Sequence, residues 1–326
     1  MENDSMKDVY DLLDKFTEIS KKLAFKHPYL VIIAMHEYFR NIWPNDPIIE
    51  EKLADDKLES IILCLKNCLN LLSSAEKIGS YFTSKELLTK FKNLDEKGEK
   101  DHSQTQTVYG KLWKSLDDNY LIQDTKNILI NLFEQNGMNV DILKDKIVLD
   151  MGCGSGRFTI ALAQLGVKNV IGVDLGEGGI KIGEKQSKDL DLKNIQFMKE
   201  SVLSLPFEDE TFDFVFSKGV LHHTGQLENG LEEFHRVLKP GGNGFLYLYG
   251  SGGLFWNSRK KMREVMKDIP MNYTLGVLDT IGMPSQRYVF ADSWYVPIEE
   301  HVERKWLEEF LLNKFSKITK VENSGE

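Results

Sequence analysis

The chain has 326 residues, 41% of them hydrophobic, and a formal net charge of -9 with a sequence pI near 5.4. That length suits about two domains with a sizeable core, and the acidic balance excludes an overall positive field that would hold a nucleic acid. Because no apolar run approaches about 18 residues and the first residues lack the pattern of a signal peptide, we expect a cytoplasmic protein without stable membrane insertion.

The first third of the chain has apolar residues at helical spacing and few glycines. We predict helices over 8–23, 28–43, 48–72 and 84–94. They form an all-helical N-terminal domain over residues 1–97, followed by a charged linker over 98–107. Such a domain caps the active site, forms a homodimer interface or binds a partner, and the sequence does not decide among these roles.

Three cysteines are too few for a disulfide framework or a metal quartet. Cys64 and Cys68 lie four residues apart on a predicted helix, a spacing compatible with metal binding. Since no histidine or third cysteine lies near them in the sequence, we interpret them as small core residues and predict no metal site.

A glycine-rich loop joins a predicted buried strand to a helix in the middle of the chain. Its glycines alternate with other residues at Gly152, Gly154 and Gly156. Glycine permits unusual dihedral angles and lets a ligand approach the backbone. A dinucleotide site has the spacing G-x-G-x-x-G and holds a pyrophosphate. The spacing here differs, and Asp150 at the strand end suits a cationic group such as the ammonium of an amino acid.

A second acid, Asp174, ends the next predicted strand, about twenty residues further on. A carboxylate at that place accepts hydrogen bonds from the two hydroxyls of a ribose. Together, Asp150 and Asp174 predict a ligand that is a nucleoside carrying an amino acid.

Strand and helix patterns alternate through the second half of the chain, which predicts a parallel sheet with helices on both faces. We predict a helix from Ile122 to Gln135 ahead of the sheet. The predicted strands are 147–151, 169–174, 195–199, 212–217 and 243–250, and the helices between them are 156–166, 177–190 and 226–238. Right-handed crossovers place the ligand at the carboxyl ends of the central strands, where the strand order reverses.

Six motifs in order resemble the class I S-adenosylmethionine (SAM)-dependent methyltransferases, in the small-molecule branch that includes the ubiquinone and menaquinone methyltransferases. The motifs are Asp150 to Gly156, Gly172 to Asp174, Leu205 to Phe207, Phe212 to Val215, Gly219 to Thr224 and Arg236 to Gly242. The resemblance implies an α/β fold with a Rossmann-like, doubly wound, mostly parallel sheet. It implies a methyltransferase domain over 108–326, with an inserted substrate lid at about 251–298, that moves a methyl group from SAM to a small molecule by in-line displacement.

The resemblance assigns the cofactor contacts to residues near the strand ends. They are Asp150, Gly152, Cys153, Gly154 and Gly156 in the loop, Asp174 and Leu175 near the ribose, Ser201 and Val202 near the adenine, and Ser217 beside the methyl group. Ser201 stands where the family usually has an aspartate for the adenine amino group. Two aromatic residues ahead of the first strand, Tyr109 and Trp113, either fold over the cofactor or pack against the sheet.

His222 and His223 follow the fourth predicted strand, opposite the glycine loop. Imidazole has an unperturbed pKa of about 6.5 and suits a general base, so both are candidate catalytic residues. The alternative is that they are ordinary core or surface histidines. A base matters for a hydroxyl or ammonium acceptor and is dispensable for a thioether, a thiolate or an activated carbon.

The segment after the fifth strand is rich in aromatic residues and carries basic residues at helical spacing. We interpret it as a lid whose basic residues meet a carboxylate or phosphate and whose rings cover an apolar body, so the acceptor is acidic or partly apolar. The alternative is an amphipathic helix with a solvated basic face. The predicted substrate contacts are Tyr249, Trp256, Arg259, Trp294 and Tyr295.

The end of the sequence predicts a helix over 299–312 and one strand over 316–321. Two further functions compete with methylation of a small molecule. One is a SAM-binding scaffold protein without turnover, which a sealed pocket would favour. The other is a protein or peptide methyltransferase, which an open acidic groove would favour.

Overall fold

The computed structural model describes residues 2–42, 55–78, 118–282 and 287–319. These residues form two compact units, a helical one and one built on a sheet. In chain order the helices are α1 (Glu2–Leu23), α2 (Pro28–Ile42), α3 (Asp55–Ile78), α4 (Asp118–Gln135), α5 (Arg157–Gln164), α6 (Glu177–Asp189), α7 (Leu227–Arg236), α8 (Gly253–Met266), α9 (Met271–Thr280), α10 (Arg287–Tyr295) and α11 (Arg304–Leu312). The strands are β1 (Ile147–Met151), β2 (Asn169–Asp174), β3 (Ile195–Lys199), β4 (Phe212–Lys218) and β5 (Leu238–Tyr247).

The helical unit contains α1, α2 and α3 together with α8, α9 and α10. The helix predicted over 84–94 and the linker over 98–107 lie outside the described residues. The segment Gly252–Tyr295 groups with the N-terminal helices and not with the sheet. The sequence predicted this segment as a lid inserted in the sheet domain. Its helical pattern revealed a buried face but not which helices would cover that face.

Aromatic side chains fill the core of the helical unit around α2. The ring centroid of Phe39 lies 5.7 Å from that of Phe255, 5.3 Å from Phe290 and 6.0 Å from Trp294. Phe255 lies on α8, and the other two partners lie on α10. Large buried rings contribute much of the stability of such cores, so the inserted helices are part of the hydrophobic core of this unit.

One described helix is long and apolar enough to span a membrane by length and composition. The stretch Lys57–Lys77 on α3 has a mean hydropathy of 1.2, whereas the sequence analysis found no apolar run of that length. The buried side chains of α3 recur at helical spacing and include Leu58, Ile61, Leu65 and Leu72. That one-sided burial against α1 and α2 is the pattern of a core helix in a helical bundle.

Within the described residues the sheet unit contains five parallel strands, as the sequence predicted, and their order is β3-β2-β1-β4-β5. The chain runs outward from β1 to β3 and then returns to the other side of β1, so the order reverses between β1 and β4. At this reversal Asp150 lies beside Gly172 on β2 and Phe216 on β4. A ligand site is expected at the carboxyl end of such a reversal.

β5 begins five residues earlier than the predicted strand. Leu238 pairs with Phe212, but Asn243 pairs with Phe214, so β5 has extra residues at this point. The extra residues include Gly241, whose φ of 76° lies in the left-handed region that favours glycine. The strand therefore continues through an irregularity, and its first five residues lie outside the predicted strand over 243–250.

The last predicted elements differ from the structure. α11 begins at Arg304, five residues after the predicted start, because Val302 forms a parallel bridge with Gly250 just before it. The predicted strand over 316–321 is wrong for residues 316–319, which form no strand, and residues 320–321 lie outside the described part. Phe315 packs against Phe234 on α7, with ring centroids 6.3 Å apart, which directs the chain onto a helix and away from the sheet.

Candidate functional site

The loop between β1 and α5 has the backbone that its glycines predicted. The φ angles of Gly152, Gly154 and Gly156 are 93°, 54° and 82°. All three lie in the region that side-chain-bearing residues rarely adopt. The loop therefore turns sharply at the carboxyl end of β1 and delivers the chain to the start of α5.

Two of these glycines are in close contact with the protein's own side chains. A Cβ atom on Gly152 would lie 2.3 Å from Val220, and one on Gly156 would lie 2.6 Å from the ring of Phe197. Both separations are far below van der Waals contact. A side chain at either position would therefore clash with Val220 or Phe197. The prediction that these glycines let a ligand approach the backbone stays a prediction.

Two glycines on α6 let this helix pack against the loop. A Cβ atom on Gly179 would lie 2.3 Å from the carbonyl oxygen of Gly154, and one on Gly183 would lie 3.0 Å from that of Ser155. This contact was not predicted from the sequence. The spacing of the two glycines could have indicated it, because residues four apart lie on one face of a helix. Glycine destabilises a helix, so two glycines on one face suggest close packing there.

Asp174 is the last residue of β2, and its carboxylate holds the glycine loop through a hydrogen bond. Its Oδ2 accepts a hydrogen bond from the Gly154 amide at 2.9 Å, and its Oδ1 accepts one from the Gly176 amide at 2.7 Å. Burial raises the pKa of Asp174, and these backbone amides oppose the rise. Each carboxylate oxygen has two lone pairs, so both oxygens can accept a further hydrogen bond.

Asp150 lies inside the sheet at the end of β1. Its side chain is only 2% exposed, and its Oδ2 accepts a hydrogen bond from the Thr159 hydroxyl at 2.6 Å. Burial raises the pKa of this carboxyl to about 7 against the effect of that hydrogen bond, and the nearby charge of Asp174 adds to the rise. A buried carboxyl with so high a pKa is stabilised in its ionised form by any cation that approaches it.

The other predicted cofactor contacts lie near the same strand ends. Ser217 on β4 is buried and donates to the carbonyl oxygen of Met151 at 3.0 Å. Ser201 follows β3 and accepts from the Leu203 amide at 3.2 Å, and Val202 beside it is buried. Cys153 is buried within the loop, whereas Leu175 is exposed. Tyr109 and Trp113 lie outside the described residues.

His222 and His223 form an aromatic cluster with Tyr249 beyond the end of β4. The two imidazole centroids lie 4.2 Å apart, and the ring of His222 stacks on Tyr249 with centroids 3.8 Å apart. His222 is fully buried and His223 is 6% exposed. The stack fixes the orientation of His222 and therefore the backbone that carries His223.

A short stretch of backbone holds this cluster, and we name residues Ile298 to Val302 the return segment. The carbonyl oxygen of Ile298 lies 2.7 Å from Nδ1 of His223. The Glu300 amide donates to the carbonyl of His222 at 2.8 Å, and the Val302 amide donates to that of Tyr249 at 2.9 Å. The return segment was not predicted from the sequence, because pairing between distant backbone groups leaves no local pattern.

The contact with Ile298 assigns the protonation of His223. A carbonyl oxygen can only accept a hydrogen bond, so Nδ1 carries the proton in the neutral ring. The basic lone pair of that tautomer is on Nε2. The return segment thus selects the nitrogen through which His223 would accept a proton.

Comparisons with known proteins agree with this geometry. A family model described as a methyltransferase domain matches residues 149–246, which run from β1 to β5. The demethylmenaquinone methyltransferase of Bacillus subtilis is 30% identical over 167 residues, a match that covers 43% of this chain and 72% of the relative. The chain belongs to the class I SAM-dependent methyltransferase family.

Other proteins are similar to this chain over a comparable share of its length. The demethylmenaquinone methyltransferase of Staphylococcus carnosus is 34% identical over 141 residues, covering 40% of this chain and 56% of the relative. A SAM-dependent methyltransferase structure from Mesorhizobium loti is 25% identical, with a TM-score of 0.29, and covers 31% of this chain and 45% of that one. The chain spans about half the length of the curated relatives that it first matches.

Of the predicted substrate contacts, only Tyr249 lies in the histidine cluster described above. The other four, which are Trp256, Arg259, Trp294 and Tyr295, belong to the helical unit. Arg259 is 2% exposed and its Nη2 lies 3.5 Å from Oδ2 of Asp292, so it does not lie on a solvated basic face. Tyr295 donates to the carbonyl of Ile269 at 3.0 Å. Contact of these four residues with substrate stays a prediction.

Proposed function

We propose that this protein transfers a methyl group from SAM to a small-molecule acceptor by in-line displacement. The observation that supports the proposal most strongly is the meeting of Asp150, Asp174 and the glycine loop where the strand order reverses. Bound SAM supplies a methyl carbon attached to a positively charged sulfur, which is a good leaving group. The names of the curated relatives support a small acceptor over a protein.

The residues at this edge of the sheet fit such a cofactor. The remaining lone pairs of Asp174 suit the two ribose hydroxyls. Asp150 suits the ammonium of the methionine part, since a cation offsets the cost of ionising a buried carboxyl. The hydroxyl of Ser155 in the loop is buried and has no hydrogen-bond partner among the described residues, so a ligand or water at this edge would satisfy it.

The protein's task in such a displacement is mainly to hold the acceptor atom, the methyl carbon and the sulfur in line. Orientation of this kind is worth about 7 to 11 kcal/mol in well-arranged systems. His223 accepts the proton of a hydroxyl or ammonium acceptor at Nε2, while Ile298 holds the proton on Nδ1. Ser217 on β4 donates to the carbonyl oxygen of Met151, and this hydrogen bond fixes the end of β4 to the end of β1.

The test begins with calorimetry of the full chain with SAM and with S-adenosylhomocysteine. We expect both to bind, and Asp174→Asn to weaken binding by about tenfold or more, because two charge-assisted hydrogen bonds to the ribose are lost. Asp189→Asn is the matched control, since Asp189 is exposed at the far end of α6. Absence of binding by the wild type would overturn the proposal.

The second step measures transfer of a labelled methyl group from SAM to a metabolite extract. Label in a small product supports the proposal. Binding without any transfer would favour the scaffold, and label in protein would favour the protein or peptide methyltransferase. A cytoplasmic location and a homodimer stay predictions.

A further inference from the structure

Two side chains of the return segment, Glu299 and His301, form an ion pair that the proposed transfer does not yet use. Oε1 of Glu299 lies 2.7 Å from Nε2 of His301, and Nδ1 of His301 lies 2.7 Å from the carbonyl oxygen of Gly250. The side chain of Glu299 is 3% exposed and that of His301 is 29% exposed. His301 therefore connects a buried carboxylate of the return segment to the chain just after β5.

Both ring nitrogens of His301 face atoms that accept hydrogen bonds and cannot donate them. A carbonyl oxygen has no proton to give and an ionised carboxylate has none either, so both nitrogens donate and the ring is a cation. Glu228, Glu300 and Glu303 line the same depression as His301, and their charges add to the negative potential around the ring. The cation thus satisfies the carboxylate of Glu299, which would be costly to bury unpaired.

This ion pair is directly connected to the carbonyl group that contacts His223. The carbonyl of Ile298 and the amide of Glu299 belong to one planar peptide unit, so the position of Glu299 constrains the direction of that carbonyl. The carbonyl oxygen of Ile298 lies 2.7 Å from Nδ1 of His223. An anchor on the side chain of Glu299 therefore bears on which nitrogen of His223 keeps the proton.

The backbone pairing of the return segment lies further along the chain. The amide of Glu300 donates to the carbonyl of His222 at 2.8 Å, and this amide follows Glu299. The hydrogen bond sets the register of the return segment but does not involve the peptide unit of Ile298. Glu299 contributes the amide of that unit, so its buried side chain is the nearer anchor.

We propose that Glu299 and His301 are positioning residues for methyl transfer and that they act on His223. The inference rests on the proposed function, in which His223 is the base. His301 fastens Glu299 to Gly250. Glu299 in turn orients the carbonyl of Ile298, which holds the proton of His223 on Nδ1. The lone pair on Nε2 then stays directed at the acceptor.

The first experiment measures the tautomer of His223 and does not depend on catalysis. Two-bond nitrogen–proton spectra of the full chain with isotope-labelled histidine distinguish the two ring nitrogens, and His223→Asn identifies the signals. We expect the neutral ring of the wild type to carry its proton on Nδ1. In Glu299→Ala and in His301→Ala a second tautomer, with the proton on Nε2, should appear.

Glu299→Gln and Glu309→Ala are the matched variants. Glutamine keeps an oxygen that accepts from Nε2 of His301, so Glu299→Gln should retain most of the wild-type tautomer. Glu309 is an exposed carboxylate on α11 that pairs with Lys305 at 3.9 Å, and its alanine variant should match the wild type. If Glu299→Ala does not fold, His301→Ala decides alone, because that side chain is partly exposed.

The second experiment measures the transfer of labelled methyl from saturating SAM to a metabolite extract. We expect both alanine variants of the ion pair to slow transfer by about tenfold, whereas their affinity for SAM in calorimetry stays unchanged, because the base and not the cofactor is displaced. Glu299→Gln should recover most of the rate.

A second tautomer together with slower transfer supports the inference. It would be overturned by an unchanged tautomer in both alanine variants, by equal effects in Glu309→Ala, or by a transfer rate equal to that of the wild type. If the wild type itself transfers no label, the proposed function fails, and the spectra still decide separately whether the ion pair orients His223.

Discussion

Asp174 Oδ2 accepts a hydrogen bond from the Gly154 amide at 2.9 Å, so the carboxylate that ends β2 also fixes the loop that follows β1. The same carboxylate is the proposed ribose acceptor. A loop that the protein's own hydrogen bonds hold loses little conformational freedom on binding. Of the two acids predicted from the sequence, Asp174 therefore holds the loop itself, and Asp150 holds Thr159 on the helix that follows the loop.

The affinity for SAM is expected to depend on pH through Asp150. Burial raises the pKa of this carboxyl to about 7, and an ammonium beside it favours the ionised form, so binding releases a proton near neutrality. Between about pH 5.5 and pH 7 the dissociation constant should fall by about tenfold. Calorimetry across this range measures the slope. Asp150→Asn cannot ionise, and a slope that persists in this variant would contradict the assignment.

As the pH rises, the free energy of unfolding of the protein without SAM should fall, whereas its affinity for SAM should rise. The pKa of Asp150 is higher in the fold than in the unfolded chain, so ionisation is costlier in the fold. Its contribution to the free energy of unfolding is therefore largest below about pH 4 and is lost as the pH rises to about 7. Denaturant unfolding of the wild type and Asp150→Asn at several pH values measures this contribution as their difference. That difference should grow with pH in favour of the variant.

Substitution by alanine should affect the stability of the protein differently at two adjacent glycines of α6. Gly179→Ala places a Cβ atom 2.3 Å from the carbonyl oxygen of Gly154, and backbone cannot move aside easily, so we expect a loss of about 1 to 3 kcal/mol in the free energy of unfolding. Gly178→Ala meets nothing within 4 Å and should be neutral or stabilising by up to about 1 kcal/mol. Urea unfolding measures both. Similar losses in the two variants would refute the packing argument.

Replacing His223 should separate catalysis from cofactor binding. His223→Asn removes the base, so kcat is expected to fall by about 100-fold or more while SAM affinity changes little. His235→Asn on α7 serves as the control, because that ring packs against Phe315. Single-turnover methyl transfer and calorimetry supply the two readouts. An unchanged kcat in His223→Asn would show that no base at this position takes part.

Substitution of Arg259 tests whether this residue of the inserted helices stabilises the fold or binds substrate. Arg259→Met leaves Asp292 buried beside an uncharged residue, which should cost about 3 to 5 kcal/mol, and the double variant with Asp292→Leu should recover much of the loss. Thermal unfolding gives both values. If Arg259→Met instead leaves stability unchanged and raises the KM for the acceptor, the residue binds substrate, as the sequence first suggested.

The sequence predicted the sheet well because parallel strands and their crossover helices have strong local patterns. Asp150 and Asp174 could be placed at its carboxyl edge for the same reason. The return segment could not be predicted, because Ile298 and Glu300 act through backbone atoms that any residue possesses. The grouping of Gly252–Tyr295 with the N-terminal helices was also missed, since a helical pattern predicts a buried face but not its partner.

The bridge between Gly250 and Val302, together with the contact of His301 with Gly250, ties together the two points where the chain leaves and re-enters the methyltransferase domain. Because these two ends are fixed to each other, the register of β5 is expected to survive a rearrangement of the helices between them.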